Sequence, residues 1–131
     1  MAERELEGQM REVATNAPRE VLAVYLYGSQ ARGDASPASD IDVGLLLDGR
    51  PQPVLRSVAR EIEDAVERRF RRTAQAVVLN TAPADLVHRV LRDGILLLDR
   101  DRAVRIRFEV QSRNEYFDLE PIRRLYRRVP A

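Results

Sequence analysis

A chain of 131 residues has the length of one domain with one buried core, so any active site sits on that core or at a contact with another chain. Hydrophobic residues at 44% and charged residues at 33% describe a globular chain rather than a disordered one, and 22 basic against 21 acidic side chains leave no overall field to draw it onto nucleic acid or a membrane. The absence of cysteine excludes disulfides and thiolate metal sites, and without a leader or a long apolar run the expected location is the cytoplasm.

Glu3 to Asn16 is charged, with Leu6, Met10 and Val13 on one helical face, and Pro18 ends the segment. Val21 to Tyr27 is a short apolar run rich in β-formers, a strand buried on both faces that stops at Gly28. Tyr25 and Tyr27 within it read as core rings. Arg32 to Ser39 is turn chemistry, and it delivers the chain into a second strand, Asp40 to Leu47.

Pro53 to Arg71 repeats apolar residues at steps of three and four from Val54 to Phe70, the clearest helix in the chain. Ala74 to Leu79 has the length and composition of a strand. Pro83-Ala84-Asp85 opens a helix with Leu86, Val87, Val90 and Leu91 on one face, stopped by Gly94, and Ile95 to Leu98 reads as another strand. Val104 to Val110 alternates like a strand, yet the surrounding charge and length favour a helix. Glu120 to Arg128 reads as a last short helix with arginines 123, 124, 127 and 128 on one side. The expected order is α, β, short helix, β, α, β, α, β, α, an α/β or α+β fold forming a single domain over residues 1–131.

The informative stretch is Gly28-Ser29, ten residues, then Asp40-Ile41-Asp42. Glycine after a strand lets backbone approach a ligand, and a serine opening a short helix offers a hydroxyl and free N–H groups to an anion. Aspartates two apart on a strand share a face and can share hard cations such as Mg²⁺, which would neutralise a triphosphate. Arg32 adds a charge-assisted phosphate contact, and Gly33 frees the turn. His88 has no second histidine or cysteine with which to build a metal cluster, so a structural role is expected. The four late arginines suit a solvated helix or an acidic partner better than nucleic acid.

Gly28-Ser29-Gln30-Ala31-Arg32-Gly33 followed by Ser39-Asp40-Ile41-Asp42 resembles the signature of the minimal nucleotidyltransferases of the DNA polymerase β superfamily. Val77-Val78-Leu79-Asn80, Arg92-Asp93-Gly94 and Tyr116-Phe117-Asp118-Leu119 are similar to later landmarks of its antitoxin-type branch. The resemblance implies a nucleotidyltransferase fold, a mixed sheet with helices packed against it. It implies transfer of a nucleoside monophosphate, AMP above all, from ATP or another NTP with Mg²⁺, and a HEPN-domain ribonuclease toxin as partner. On that pattern Gly28, Ser29, Arg32 and Gly33 bind nucleotide, and Asp40 and Asp42 are catalytic and hold metal.

The position matching the family's third catalytic carboxylate is Gln75, and no Asp or Glu lies between Arg71 and Pro83 to replace it. An amide coordinates metal weakly and takes no proton from a hydroxyl. Two functions therefore stand side by side: an adenylyltransferase acting on a toxin hydroxyl, and an antitoxin with weakened catalysis that works by binding its toxin. A transferase for small molecules or RNA ends would need an added substrate domain, for which the chain is too short. Both a hetero-oligomer and a homodimer are compatible with the sequence.

Overall fold

A computed structural model describes residues 3–33, 35, 39–49 and 52–128. The chain runs α1 (Glu3–Thr15), β1 (Val21–Tyr27), α2 (Ser29–Arg32), β2 (Ile41–Leu47), α3 (Gln52–Phe70), β3 (Ala74–Val78), a 3₁₀ turn (Leu79–Thr81), α4 (Ala84–Asp93), β4 (Ile95–Asp99) and α5 (Arg102–Arg128). Four strands form one sheet in the order β3-β2-β1-β4. β2 and β4 flank β1 antiparallel, and β3 joins β2 in parallel, so the sheet is mixed as expected.

Both faces of the sheet are covered, which is why β1 and β2 read as continuous apolar runs. Leu6, Met10 and Ala14 of α1 and Leu55, Val58, Ile62 and Val66 of α3 pack on Val24, Leu26, Ile41, Val43 and Leu45. Val87 and Val90 of α4, with Val104 and Phe108 of α5, pack on the other face against Ala23, Tyr25 and Leu46. Strand alternation then assigns Asp42 and Gly44 to the α4 side. Packing is tight at Gly44, where an added Cβ would lie 3.2 Å from Leu79 and Val90 side-chain atoms.

Side chains close both sheet edges. The Ala76 N–H of β3 donates to Glu63 Oε2 of α3 at 2.9 Å, and Arg11 Nη1 of α1 donates to the Leu96 carbonyl of β4 at 3.1 Å. The Asn80 amide bonds both backbone groups of Leu47, accepting at 2.9 Å and donating at 2.8 Å, as another strand residue would. Arg100 donates to four carbonyls, those of Thr15, Ala17, Pro18 and Val21, and so fastens the end of α1 and the start of β1 to the end of β4.

Three expectations need correction. Asp40 lies just before β2 rather than in it, and Leu79 belongs to the 3₁₀ turn rather than to β3. The segment after Asp101 is one 27-residue helix, not two pieces, with Pro121 inside it. Packing on α4 and the sheet holds the first half of α5 through Val104 and Phe108, whereas Pro121 lies beyond it and removes one backbone hydrogen bond without ending the helix. The residues 34 and 36–38 of the Arg32–Ser39 turn, and the side chains of arginines 123, 127 and 128, lie outside the described residues. No helix among the described residues is long and apolar enough to cross a membrane.

Candidate active site

β1 ends in Gly28, whose φ of +71° is the left-handed region glycine favours, and α2 starts at Ser29. A Cβ on Gly28 would lie 2.5 Å from Asp42 Oδ2, so the missing side chain makes room for the carboxylate of the neighbouring strand. Asp42 pairs with Tyr27 across the antiparallel β1–β2 ladder, and with Gln75 across the parallel β2–β3 ladder. Paired residues on adjacent strands project to the same face, so Tyr27, Asp42 and Gln75 stand in one row at the strand ends.

A cleft of about 400 Å³ opens over Tyr27 and Asp42, and Gln75 does not line it. Gly28, Ser29, Arg32 and Asp42 line it from the sheet side, and Leu86, Arg89, Arg92 and Asp93 from α4. Asp42 is half-buried, and its carboxyl is held above the usual carboxylate range by that burial and by the nearby Asp40 charge, with Arg32 pulling the other way. The Tyr27 hydroxyl is pushed up by burial and by Asp42, and Arg89 opposes this. Arg92 forks onto Asp93 at 2.9 and 2.8 Å, and those hydrogen bonds hold the Asp93 carboxyl below its ordinary range.

Of the residues singled out from sequence, Gly28, Ser29, Arg32 and Asp42 converge in the cleft. Asp40 is exposed beside it, with its carbonyl accepting from Gln30 Nε2 at 3.4 Å. Arg72 donates to the Ser39 carbonyl and anchors the backbone just ahead of Asp40. Gly33 does not line the cleft: it closes α2 with a φ of +79°, and a Cβ there would meet Glu3 Oε1 at 2.8 Å. Gln75 is exposed, next to Asp42 in register. Among the described residues no group of three or more His, Cys, Asp or Glu side chains is placed to hold a metal.

Sequence reasoning missed Arg89 and Tyr27. Leu86, Arg89 and Asp93 recur at three and four residues along α4, a second helical face beside the apolar one, but the repeat does not say what that face looks upon. Tyr27 was read as core, yet it is half-buried at the cleft, whereas Tyr25 is buried as expected. His88 has the structural role anticipated for it, its ring stacked on Tyr116 of α5 at 3.7 Å between centroids. A recess of about 480 Å³ between α1 and α3 exceeds the cleft in volume but contains none of the motif residues.

The fold is shared with solved structures. A chain of a toxin–antitoxin complex crystallised with AMP-PNP superposes with a TM-score of 0.75 at 20% identity, over 92% of this chain and 94% of that one. A chain from a complex of tri-AMPylated Shewanella oneidensis HEPN toxin with MNT antitoxin gives 0.71 at 18%, over 95% of each. A chain of the toxin–antitoxin MntA–HepT gives 0.70 at 18%, over 94% of each. None of the curated proteins compared with it matches the chain by sequence. A family model described as "Polymerase beta, Nucleotidyltransferase" matches residues 9–103, which hold both halves of the motif and the whole sheet, and the chain belongs to that nucleotidyltransferase family.

Proposed function

We propose that this protein transfers a nucleoside monophosphate, AMP in the first instance, from an NTP to a hydroxyl of a HEPN-type toxin and so acts as its antitoxin. The observation that carries the reading is the two-signed cleft, with Asp42 on the sheet side and Arg32, Arg89 and Arg92 around it. The solved complexes of the same fold, one with AMP-PNP and one with an AMPylated HEPN toxin, support the choice of nucleotide and partner.

The donor set fits Mg²⁺, which is commonly held by one or two carboxylates together with substrate phosphates rather than by a full protein cage. Asp42 and Asp40 are those carboxylates, and the charge that Asp40 places on Asp42 is what a cation would relieve. When bound, Mg²⁺ supplies neutralisation of the triphosphate. Arg32 and Arg89 face the cleft to meet phosphate oxygens and the charge that develops on the leaving pyrophosphate. The acceptor oxygen bonds to the α-phosphorus as the bond from that phosphorus to the β-phosphate bridge breaks. Gln75 is a neutral amide, so the hydroxyl proton has no third carboxylate to go to and leaves to water.

Incubating the protein with Mg²⁺, labelled ATP and a HEPN-domain partner protein tests the reading. Label is expected on the partner, and Asp42→Ala abolishes it. The same Gln75 favours a second reading, an antitoxin that silences its toxin by binding alone; a stable inhibitory complex without label, unchanged by Asp42→Ala, would select it.

A further inference from the structure

Each helical residue advances about 100°, so Ile106, Val110 and Phe117 line one side of α5, opposite Val104 and Phe108, with Leu125 at its edge. The Val104–Phe108 side is packed: these two join the apolar cluster of α4, Arg105 pairs with Asp99 at 2.9 Å, and Glu109 accepts from Tyr25 at 2.7 Å. The opposite side is bare, with Ile106 41%, Val110 45%, Phe117 58% and Leu125 64% exposed. Phe117, Glu120, Pro121, Arg124 and Leu125 line an open recess of about 460 Å³. Exposed apolar side chains aligned over several turns are what a helix keeps for a partner.

Charge selects the occupant. Around this face the ionisable side chains among the described residues are Arg102, Arg107, Arg113 and Arg124 with Asp118 and Glu120, so cations outnumber carboxylates, although Glu120 itself lines the recess. Arg124 is paired with Glu120 at 3.3 Å, while Arg107 and Arg113 enter no ion pair among the described residues. A second copy would bring the same cations to the contact, a like-charge juxtaposition that disfavours self-pairing. The complement is an apolar helix face bordered by Asp and Glu.

Position adds a reason for that face to exist. Phe117 sets its ring edge-on to His88 of α4, with centroids 6.4 Å apart, and the next residue of α4, Arg89, lines the cleft. A protein seated on Phe117 is therefore held one helix away from the nucleotide.

We propose that the Ile106–Val110–Phe117–Leu125 face of α5 docks the protein that receives the nucleotide, through an apolar surface of that protein rimmed by carboxylates. This rests on the proposed protein acceptor, and the test separates the two. The probe is the HEPN-domain protein, with affinity measured by calorimetry and AMP transfer by label, for the full chain and for Val110→Glu, Phe117→Glu and the pair Arg107→Glu/Arg113→Glu. All three replace exposed side chains, and binding of a fluorescent ATP analogue by the chain alone reports that fold and cleft are intact.

The expected result is a loss of roughly 30-fold or more in affinity for Phe117→Glu and Val110→Glu, the size of a hot-spot loss, with ATP-analogue binding unchanged. The double arginine reversal weakens the complex and flattens its dependence on salt. Variants that bind the HEPN-domain protein as tightly as the parent chain overturn the docking face and leave the proposed activity standing. A parent chain that binds ATP analogue but neither binds nor labels the HEPN-domain protein overturns the activity and the acceptor together. A dimer of the chain alone that Phe117→Glu converts to monomer assigns the face to a second copy and overturns the proposal.

Discussion

Gln75 stands directly beside Asp42, its partner in the parallel register of β2 and β3, one strand spacing of about 4.8 Å away. The two positions share a face, so a carboxylate at 75 would look into the same space as Asp42. Gln75→Glu keeps the side chain's size and supplies the missing proton acceptor. It is expected to raise Mg²⁺-dependent AMP transfer by roughly 10²-fold, the lower end of what a positioned general base contributes. Single-turnover rates with labelled ATP check this, and an unchanged rate would mean that proton removal does not limit transfer.

Gly28→Ala puts a methyl where Asp42 Oδ2 lies, at a φ of +71° that alanine disfavours. The backbone strain alone costs about 1–3 kcal/mol. The variant is expected to melt several degrees lower and to lose ATP-analogue binding, because either the carboxylate or the turn must move. Thermal denaturation and equilibrium binding measure the two effects separately.

Arg100→Ala leaves the carbonyls of Thr15, Ala17, Pro18 and Val21 without their common donor. Hydrogen bonds to a charged group contribute about 1.5–3 kcal/mol, so a loss of about 2 kcal/mol is expected on urea unfolding. Arg100→Lys recovers only part of this, since a single ammonium does not reproduce a planar fork spanning several acceptors.

Tyr25 is buried under α5 and donates to Glu109 at 2.7 Å; burial first, then that hydrogen bond and the Glu109 charge, raise its pKa far above the usual phenol range. The folded state therefore keeps a proton that the unfolded chain gives up near pH 10, and the stabilisation this brings is complete below about pH 10 and is lost as pH rises beyond it. The chain has no lysine and no cysteine, so the tyrosines dominate side-chain titration in that window. Tyr25→Phe is expected to lower Tm at pH 8, by about 1 kcal/mol of lost hydrogen bonding, and to lose less between about pH 10 and 12 than the parent chain. Melting curves across that range decide it.

Local chemistry sufficed for much of the fold and half of the candidate site. The apolar runs at Val21–Tyr27 and Ile41–Leu47 can be covered only on both faces, and the repeat from Val54 to Phe70 can only be a helix. Gly28, Ser29, Arg32 and Asp42 are legible because they lie within fifteen residues joined by one turn, so chain connectivity alone keeps them close. The rest depended on contacts between distant segments. Only the parallel pairing of β3 with β2 sets Gln75 beside Asp42. Only the packing of α4 on the sheet turns Arg89 toward the cleft and Gly33 is seen to serve α2 instead. Only the contacts of Asp99, Tyr25 and His88 with α5 fix which side of it packs inward, and they leave Phe117 and Leu125 exposed. Sequence periodicity states which residues share a face; which surface that face meets is settled by tertiary packing, because the free energy of burial belongs to the pair of surfaces and not to either one alone.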